Sequence, residues 1–242
     1  MFGLIVSDPV VDAARRKALT ALLHDLDLPL AAFTADAAPM FPHVMSRAAF
    51  LRTASVAVLL GQPLPLDGLI EHLSVGDPLP ANVVRKYLFL RWSLAPYWRR
   101  TCSCTSAEGG ILWGDNLLIM PVSEEDVVDA PLPAGIWTEL TGAIHTGYLR
   151  SMRGYNEMPV LVRENALLPI SMNGQSLTQT TADDADRLTL HWYQPMQEAV
   201  CTLADGTCYQ VQRAGERISV HTNTNKPFHL IVHRDGVETL IR

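Results

Sequence analysis

Ile111-Leu112-Trp113-Gly114-Asp115-Asn116-Leu117-Leu118-Ile119-Met120-Pro121-Val122 is the stretch at which the texture of this sequence changes. Large apolar residues broken by Gly, Asp and Pro predict strand structure, because such side chains suit a pleated, half-buried surface and the breakers punctuate it. From about residue 105 onward the chain keeps this character. Further strands are expected at Ile136–Leu140, Val160–Arg163, Leu188–Tyr193, Glu198–Leu203, Cys208–Arg213, Arg217–His221, Phe228–His233 and Val237–Ile241. Asp205-Gly206 predicts a two-residue type I′ hairpin, which needs positive φ at both central positions. The polar stretch Asn173–Asp186 reads as a link between two β modules.

Upstream the period is helical. Ala14, Ala18, Leu22 and Leu26 share one spacing, and Val83, Tyr87, Leu90 and Leu94 another, the latter opened by Asn82 as an N-cap. Short strand-like runs, Gly3–Val6 and Leu28–Thr34, lie between helical stretches, which is the texture of parallel βα units. The expected fold is therefore α/β followed by all-β.

Composition narrows the function classes. Hydrophobic residues make up 48% and charged residues 18%, the balance of an ordered globular chain. A net charge of −6 gives no attraction for phosphate backbones or anionic lipid, so neither nucleic acid nor membrane is expected as a partner. No apolar run nears the roughly 20 residues that span a bilayer. The start, Met1 to Asp8, lacks a basic region and a small-residue cleavage site, so a cytoplasmic address is expected. Four cysteines in 242 residues make no disulfide scaffold.

Three stretches carry a family resemblance. Gly114–Val122 is similar to the "GD-x-LL-x-x-PV" segment of glycoside hydrolase family 31, which enters the β-sandwich after that family's catalytic (β/α)8 barrel. Leu132–Leu140 resembles its "LP-x-G-x-W" hairpin, and Met158–Asn165 with Leu167-Leu168-Pro169 its "PV-x-VR" strand. Lys86–Tyr97 is similar to the last barrel helix with its "LR-x-x-L-x-PY" pattern, and His191–Tyr193 through Glu198–Cys201 resembles the distal β domain of bacterial α-xylosidases. The resemblance implies a partial (β/α)8 barrel end over 1–105, a proximal β-sandwich over 106–172 and a distal β module over 173–242.

It also implies a chemistry: retaining hydrolysis of an α-glycoside by two carboxylates about 5–5.5 Å apart, one attacking the anomeric carbon and the other protonating the leaving oxygen. By order along the chain, Asp8 stands where the family has its catalytic acid/base and Asp36 where a strand end lines the sugar site. No cofactor and no metal are implied. The same residues also have plainer readings, Asp8 as a helix cap or first-turn residue and Asp36 as a turn former.

Several features depart from the family. A complete barrel takes roughly 250 residues, whereas about a hundred precede the sandwich here. No "DMNE"- or "DFGE"-like nucleophile segment is present. Ala37 and Ala38 replace two glycines, an apolar run Val56–Leu60 replaces an Arg/His pair, and the segment before the sandwich is compressed into Arg99–Gly110. The expectation is a glycosidase-like chain that is truncated and inactive by itself, with a non-catalytic carbohydrate-binding or interaction module as the alternative. An open parallel sheet leaves its edges unpaired, so a second copy or a complementing chain is expected to cover it.

Other clusters read more plainly. Cys102 and Cys104 are too close for a zinc knuckle. Cys201 and Cys208 flank the turn but are diagonal, so no disulfide is expected. His221, His229 and His233 fall on adjacent strands, with His229 and His233 on one face by alternation, and read either as a surface metal site or as ordinary solvent-facing histidines. Trp137, Trp192 and Tyr193 are either core or platforms for a sugar ring. Glu124-Glu125-Asp126 lacks the spacing of a calcium loop.

Overall fold

A computed structural model describes residues 3–36, 46–100, 103–154, 156–171 and 188–241. Cys102, Ala37, Ala38 and the linker Asn173–Asp186 lie outside them. The chain forms two compact units. One holds the described residues up to Trp92 together with Arg153–Met158, and the other holds the described remainder.

In the first unit, β1 (Leu4–Ser7) is the centre of a three-stranded parallel sheet, flanked by β2 (Leu30–Thr34) and β3 (Leu64–Pro65). Helix α1 (Ala13–Asp25) connects β1 to β2 and turns Leu19 and Leu23 inward. Asp12 caps it, accepting from the Ala14 and Arg15 amides at 2.9 and 3.1 Å. Helix α2 (Arg47–Leu60) buries every residue from Ala54 to Leu59. That apolar run is therefore interior, and it closes at Gly61, whose φ of 70° is one that side-chain-bearing residues avoid. The last turn of α2 meets α4 (Pro78–Ser93), where Arg91 Nη1 donates to the Leu59 carbonyl at 2.8 Å. Helix α3 (Leu66–His72) lies between them in the chain.

Helix α4 starts five residues earlier than a cap at Asn82 implied. Asn82 is inside the helix, its Oδ1 accepting from Arg85, and Asp77 accepts from the Leu79 amide at 3.0 Å instead. Proline at the first helical position needs no donor, which is why the helix can open there. Tyr87 of α4 accepts from the Met158 amide at 2.9 Å and donates to the Asn156 carbonyl at 3.2 Å. Burial pushes its phenol up to about 12, the Met158 amide pulling the other way.

The second unit begins with a short helix, α5 (Ala95–Trp98), and is otherwise β. Its six-stranded sheet has the order β4–β5–β6–β9–β7–β8, with β4 Cys104–Ala107, β5 Gly110–Trp113, β6 Leu117–Ile119, β7 Val127–Glu139, β8 Ile144–Met152 and β9 Val160–Arg163. Two further sheets follow, β10–β11–β15–β16 and β12–β13–β14, built from β10 (Leu167–Ser171), β11 (Leu188–Tyr193), β12 (Glu198–Thr202), β13 (Cys208–Ala214), β14 (Arg217–Thr222), β15 (Phe228–Arg234) and β16 (Val237–Ile241). They enclose a core of Leu188, Leu190, Trp192, Tyr209, Val211, Leu230 and Val232.

Local details correct the sequence reading. Ile111–Val122 is two strands, because Gly114 at φ 63° reverses the chain between β5 and β6. The Leu132–Leu140 segment is no hairpin but the second half of β7, whose register slips between Pro131 and Ile136. Prolines cannot donate to a ladder, so they sit at that irregularity. Strand β8, absent from the expected strands, is mostly exposed and buries only Leu149. The β4 strand starts before residue 106, and β10, inside the segment expected to be proximal sandwich, pairs with β11 instead.

The turn after β12 also differs. Gly206 has φ 85° while Asp205 is not among the positive-φ residues, and Leu203 accepts from the Gly206 amide at 3.1 Å. This is a three-residue loop with a glycine bulge rather than a type I′ turn. It places Cys208 opposite Thr202 and Cys201 opposite Tyr209, and both thiols are free.

Candidate functional site

The family-like stretches meet one another in the second unit. Tyr97, from the "PY" pair, donates its hydroxyl to the Trp113 carbonyl at 2.7 Å and accepts from the Asn116 amide at 3.3 Å, so it bridges the two sides of the Gly114 turn. Burial drives that phenol up to about 12 against the Asn116 amide. Trp137 is fully buried, donates Nε1 to Pro133 O at 2.8 Å and lies 5.3 Å from the guanidinium of Arg163, its cross-strand partner. Gly135 has φ 115°, and a Cβ there would meet Glu164 Oε1 at 2.6 Å. The motif residues thus tie α5 to the turn between β5 and β6, and β7 to its neighbour β9 inside the sheet. Tyr97→Phe removes a buried hydroxyl that serves two backbone groups, and a loss of about 1–3 kcal/mol is expected in urea titration; an unchanged midpoint would contradict this role.

Asp8 and Asp36 belong to the first unit, at the carboxyl ends of β1 and β2. Ligands of parallel sheets gather at that end. The ladder continues past the strands, as Asp8 N donates to Thr34 O at 2.8 Å and Ser7 Oγ to Asp36 O at 2.5 Å. Asp8 is buried, at 3% exposure. Its Oδ2 accepts from Arg16 Nε at 2.6 Å and the Asp12 amide at 3.0 Å, and its Oδ1 from the Val11 amide at 3.1 Å. That arrangement holds Val11 at φ 56°, a conformation β-branched residues rarely adopt. Arg16 also lies 4.8 Å from the centre of the Phe33 ring. Burial pushes the Asp8 carboxyl up, but Arg16 and the two amides outweigh it, so the net shift is downward. Asp12, not Asp8, caps α1. Asp36 is exposed and accepts from Thr34 Oγ1 at 3.0 Å while its own amide donates back to that hydroxyl at 3.1 Å, the geometry of a polar turn.

The remaining candidates resolve individually. Trp137, Trp192 and Tyr193 are 0%, 0% and 2% exposed and offer no face to a sugar. Trp192 Nε1 instead donates to Asn165 Oδ1 at 3.1 Å. His221 lies on β14 and His229 and His233 on β15, in different sheets, and among the described residues no group of three metal-binding side chains converges. Glu124 and Glu125 form a turn leading to Asp126 at φ 57°. The second unit carries an open groove of about 930 Å³, lined by Met196, Glu198, Gln212, Arg213, Arg217 and Ser219 among others, in which no candidate from the sequence takes part. Among the described residues no helix is long and apolar enough to cross a membrane.

The chain thus combines a short parallel α/β sheet with β sheets that are antiparallel except for the parallel β11–β15 pair. Against solved structures, the chain is similar to a Flavobacterium johnsoniae dextranase in complex with glucose (TM-score 0.63, 18% identity, 77% of this chain and 30% of that one). It is also similar to the cycloalternan-forming enzyme of Listeria monocytogenes in complex with a pentasaccharide (0.64, 16%, 91% and 25%). The α-xylosidase of Xanthomonas citri is a third similar structure (0.55, 14%, 94% and 28%). Residues 93–168 match the glycosyl hydrolase family 31 C-terminal domain. The resemblance of this segment to the C-terminal portion of the family, read from its motifs, is borne out. It spans between 25% and 30% of the length of these three enzymes. No curated protein matches it.

Proposed function

We propose that this chain corresponds to the end of the barrel and the following β domains of a retaining α-glycosidase of the α-xylosidase or α-glucosidase kind, and that the 242-residue polypeptide alone does not hydrolyse α-glycosides. The division into barrel end, proximal sandwich and distal module is part of this reading, supported by the likeness to the Xanthomonas citri α-xylosidase over 94% of the chain. So is coverage of the β2 edge by a complementing chain or a second copy, which would satisfy the strand's outward backbone groups.

One observation carries the proposal of inactivity. Asp8 stands at the strand end where a proton donor would be placed, yet Arg16 Nε and two amides all donate to it. A general acid must hold a proton at working pH, which takes an environment that raises its pKa. This environment does the reverse. Retention also needs a nucleophile on the far side of the sugar, and the described parallel sheet supplies three strands, β1 to β3.

The purified chain incubated with aryl α-xyloside and aryl α-glucoside is expected to give no turnover above buffer. Turnover that disappears in Asp8→Asn would overturn the proposal, since it would require that carboxylate to be protonated and in reach of substrate.

A further inference from the structure

The β10–β11–β15–β16 sheet turns Leu188, Leu190, Trp192, Leu230 and Val232 to the core shared with β12–β14. Side chains alternate along a strand, so His191, Tyr193 and His233 project from the opposite face. There His191 Nδ1 and His233 Nε2 are 2.8 Å apart. The Tyr193 ring lies parallel to the His233 ring with centroids 4.1 Å apart. Glu238 Oε1, on the paired strand β16, is 3.4 Å from His233 Nδ1. His191 Nε2 is buried and has no hydrogen-bond partner.

The partners determine where the protons are. With the Glu238 carboxylate 3.4 Å from Nδ1, the favourable tautomer of His233 carries its hydrogen there and presents the lone pair of Nε2. His191 therefore donates from Nδ1, and its Nε2 is a bare lone pair. This state is consistent throughout, because a buried unfilled acceptor is better tolerated than a buried orphaned N–H. A further proton finds no such state. On His233 Nε2 it forces the His191 hydrogen onto the unpartnered Nε2, and on His191 Nε2 it creates a buried N–H and a buried charge with no acceptor.

We infer that the His191–His233 pair is an acid-sensitive latch, which holds β15 against β11 while both rings are neutral and releases the distal β module when a further proton enters. The other groups facing the pair do not change this. Strand β11 contributes Tyr193, β15 the exposed His229, and β16 the carboxylate of Glu238, whose side chain is 63% exposed. Strand β10 offers Leu168 opposite His191 and Ile170 opposite Thr189. Helix α5, which packs on β10, brings one titratable group, the Tyr97 hydroxyl already held by Trp113.

The sign follows from linkage. Burial, and secondarily His233, hold His191 down at about 4. Burial also lowers His233, against an opposing pull from Glu238. The unfolded chain titrates its histidines near 6.5, so between about pH 6.5 and about 4 it binds more protons than the fold does. Stability supplied by the pair is complete above that window and is lost as pH falls through it.

The test is urea unfolding of the full chain from about pH 7.5 down to about pH 4.5, comparing wild type with His191→Asn, whose amide nitrogen hangs on the same Cγ as Nδ1 and can donate to His233 without titrating. The wild-type unfolding constant is expected to rise up to about tenfold more per pH unit than that of the variant within the window. Parallel pH dependences would overturn the inference. Imidazole nitrogen shifts of folded wild type supply an independent readout even if the variant does not fold. Both rings neutral at about pH 5.5 supports the latch; a charged ring in the intact fold at that pH overturns it.

Discussion

Replacing Trp137 with alanine is expected to remove about 3–5 kcal/mol of stability, the range for losing a fully buried large aromatic side chain. The size of the effect comes from three losses at once. The indole fills a position with no exposure, its N–H satisfies the Pro133 carbonyl inside the irregular part of β7, and its face supports the Arg163 guanidinium across to β9. Truncation leaves a cavity, a bare carbonyl and an unsupported cation in one place. For a chain of this size the melting temperature should fall by roughly 6–20 °C. Trp137→Phe, which keeps most of the packing, should recover more than half of the loss. An alanine variant that melts with the wild type would mean that this part of β7 is not integral to the sheet.

Trp192→Ala is expected to have a similar magnitude, about 3–5 kcal/mol, in the distal module. Its ring lies at the centre of the core between the two small sheets, and Nε1 holds Asn165 Oδ1, which also accepts from the Met196 amide at 3.1 Å. The variant should expose the core, measurable as binding of a hydrophobic dye and as lost near-ultraviolet circular dichroism. Because the ring has no exposed face, any loss of sugar affinity in this variant would report unfolding rather than a missing platform. Full retention of the wild-type spectrum and melting point would refute the core assignment.

The predominance of β structure after residue 105 was legible in the sequence. Strand runs such as Val160–Arg163, Leu188–Tyr193 and Val237–Ile241 recur at the expected positions because their composition has one comfortable environment, a pleated sheet with a buried face. What escaped was whatever depended on a neighbour. Strand β8 buries only Leu149 and is held by its pairing with β7. The parallel pairing of β11 with β15, separated by the whole β12–β14 hairpin set, has no local signature at all.

The candidate site divides in the same way. That Asp8 follows an apolar strand is a property of the sequence; that Arg16 and two amides turn on it is a property of the loop between β1 and α1. His233 was visible as one of three histidines near the C-terminus, but its partner is His191, 42 residues earlier, and not His221 or His229. By itself the sequence determined which segments are strand or helix, the sign of the net charge and the family-like stretches, because these depend on residue type and local spacing. Only the tertiary structure decided which tryptophans are core, which carboxylate is held ionised and which histidines share a proton, because burial and hydrogen bonding are made by groups far apart in the chain.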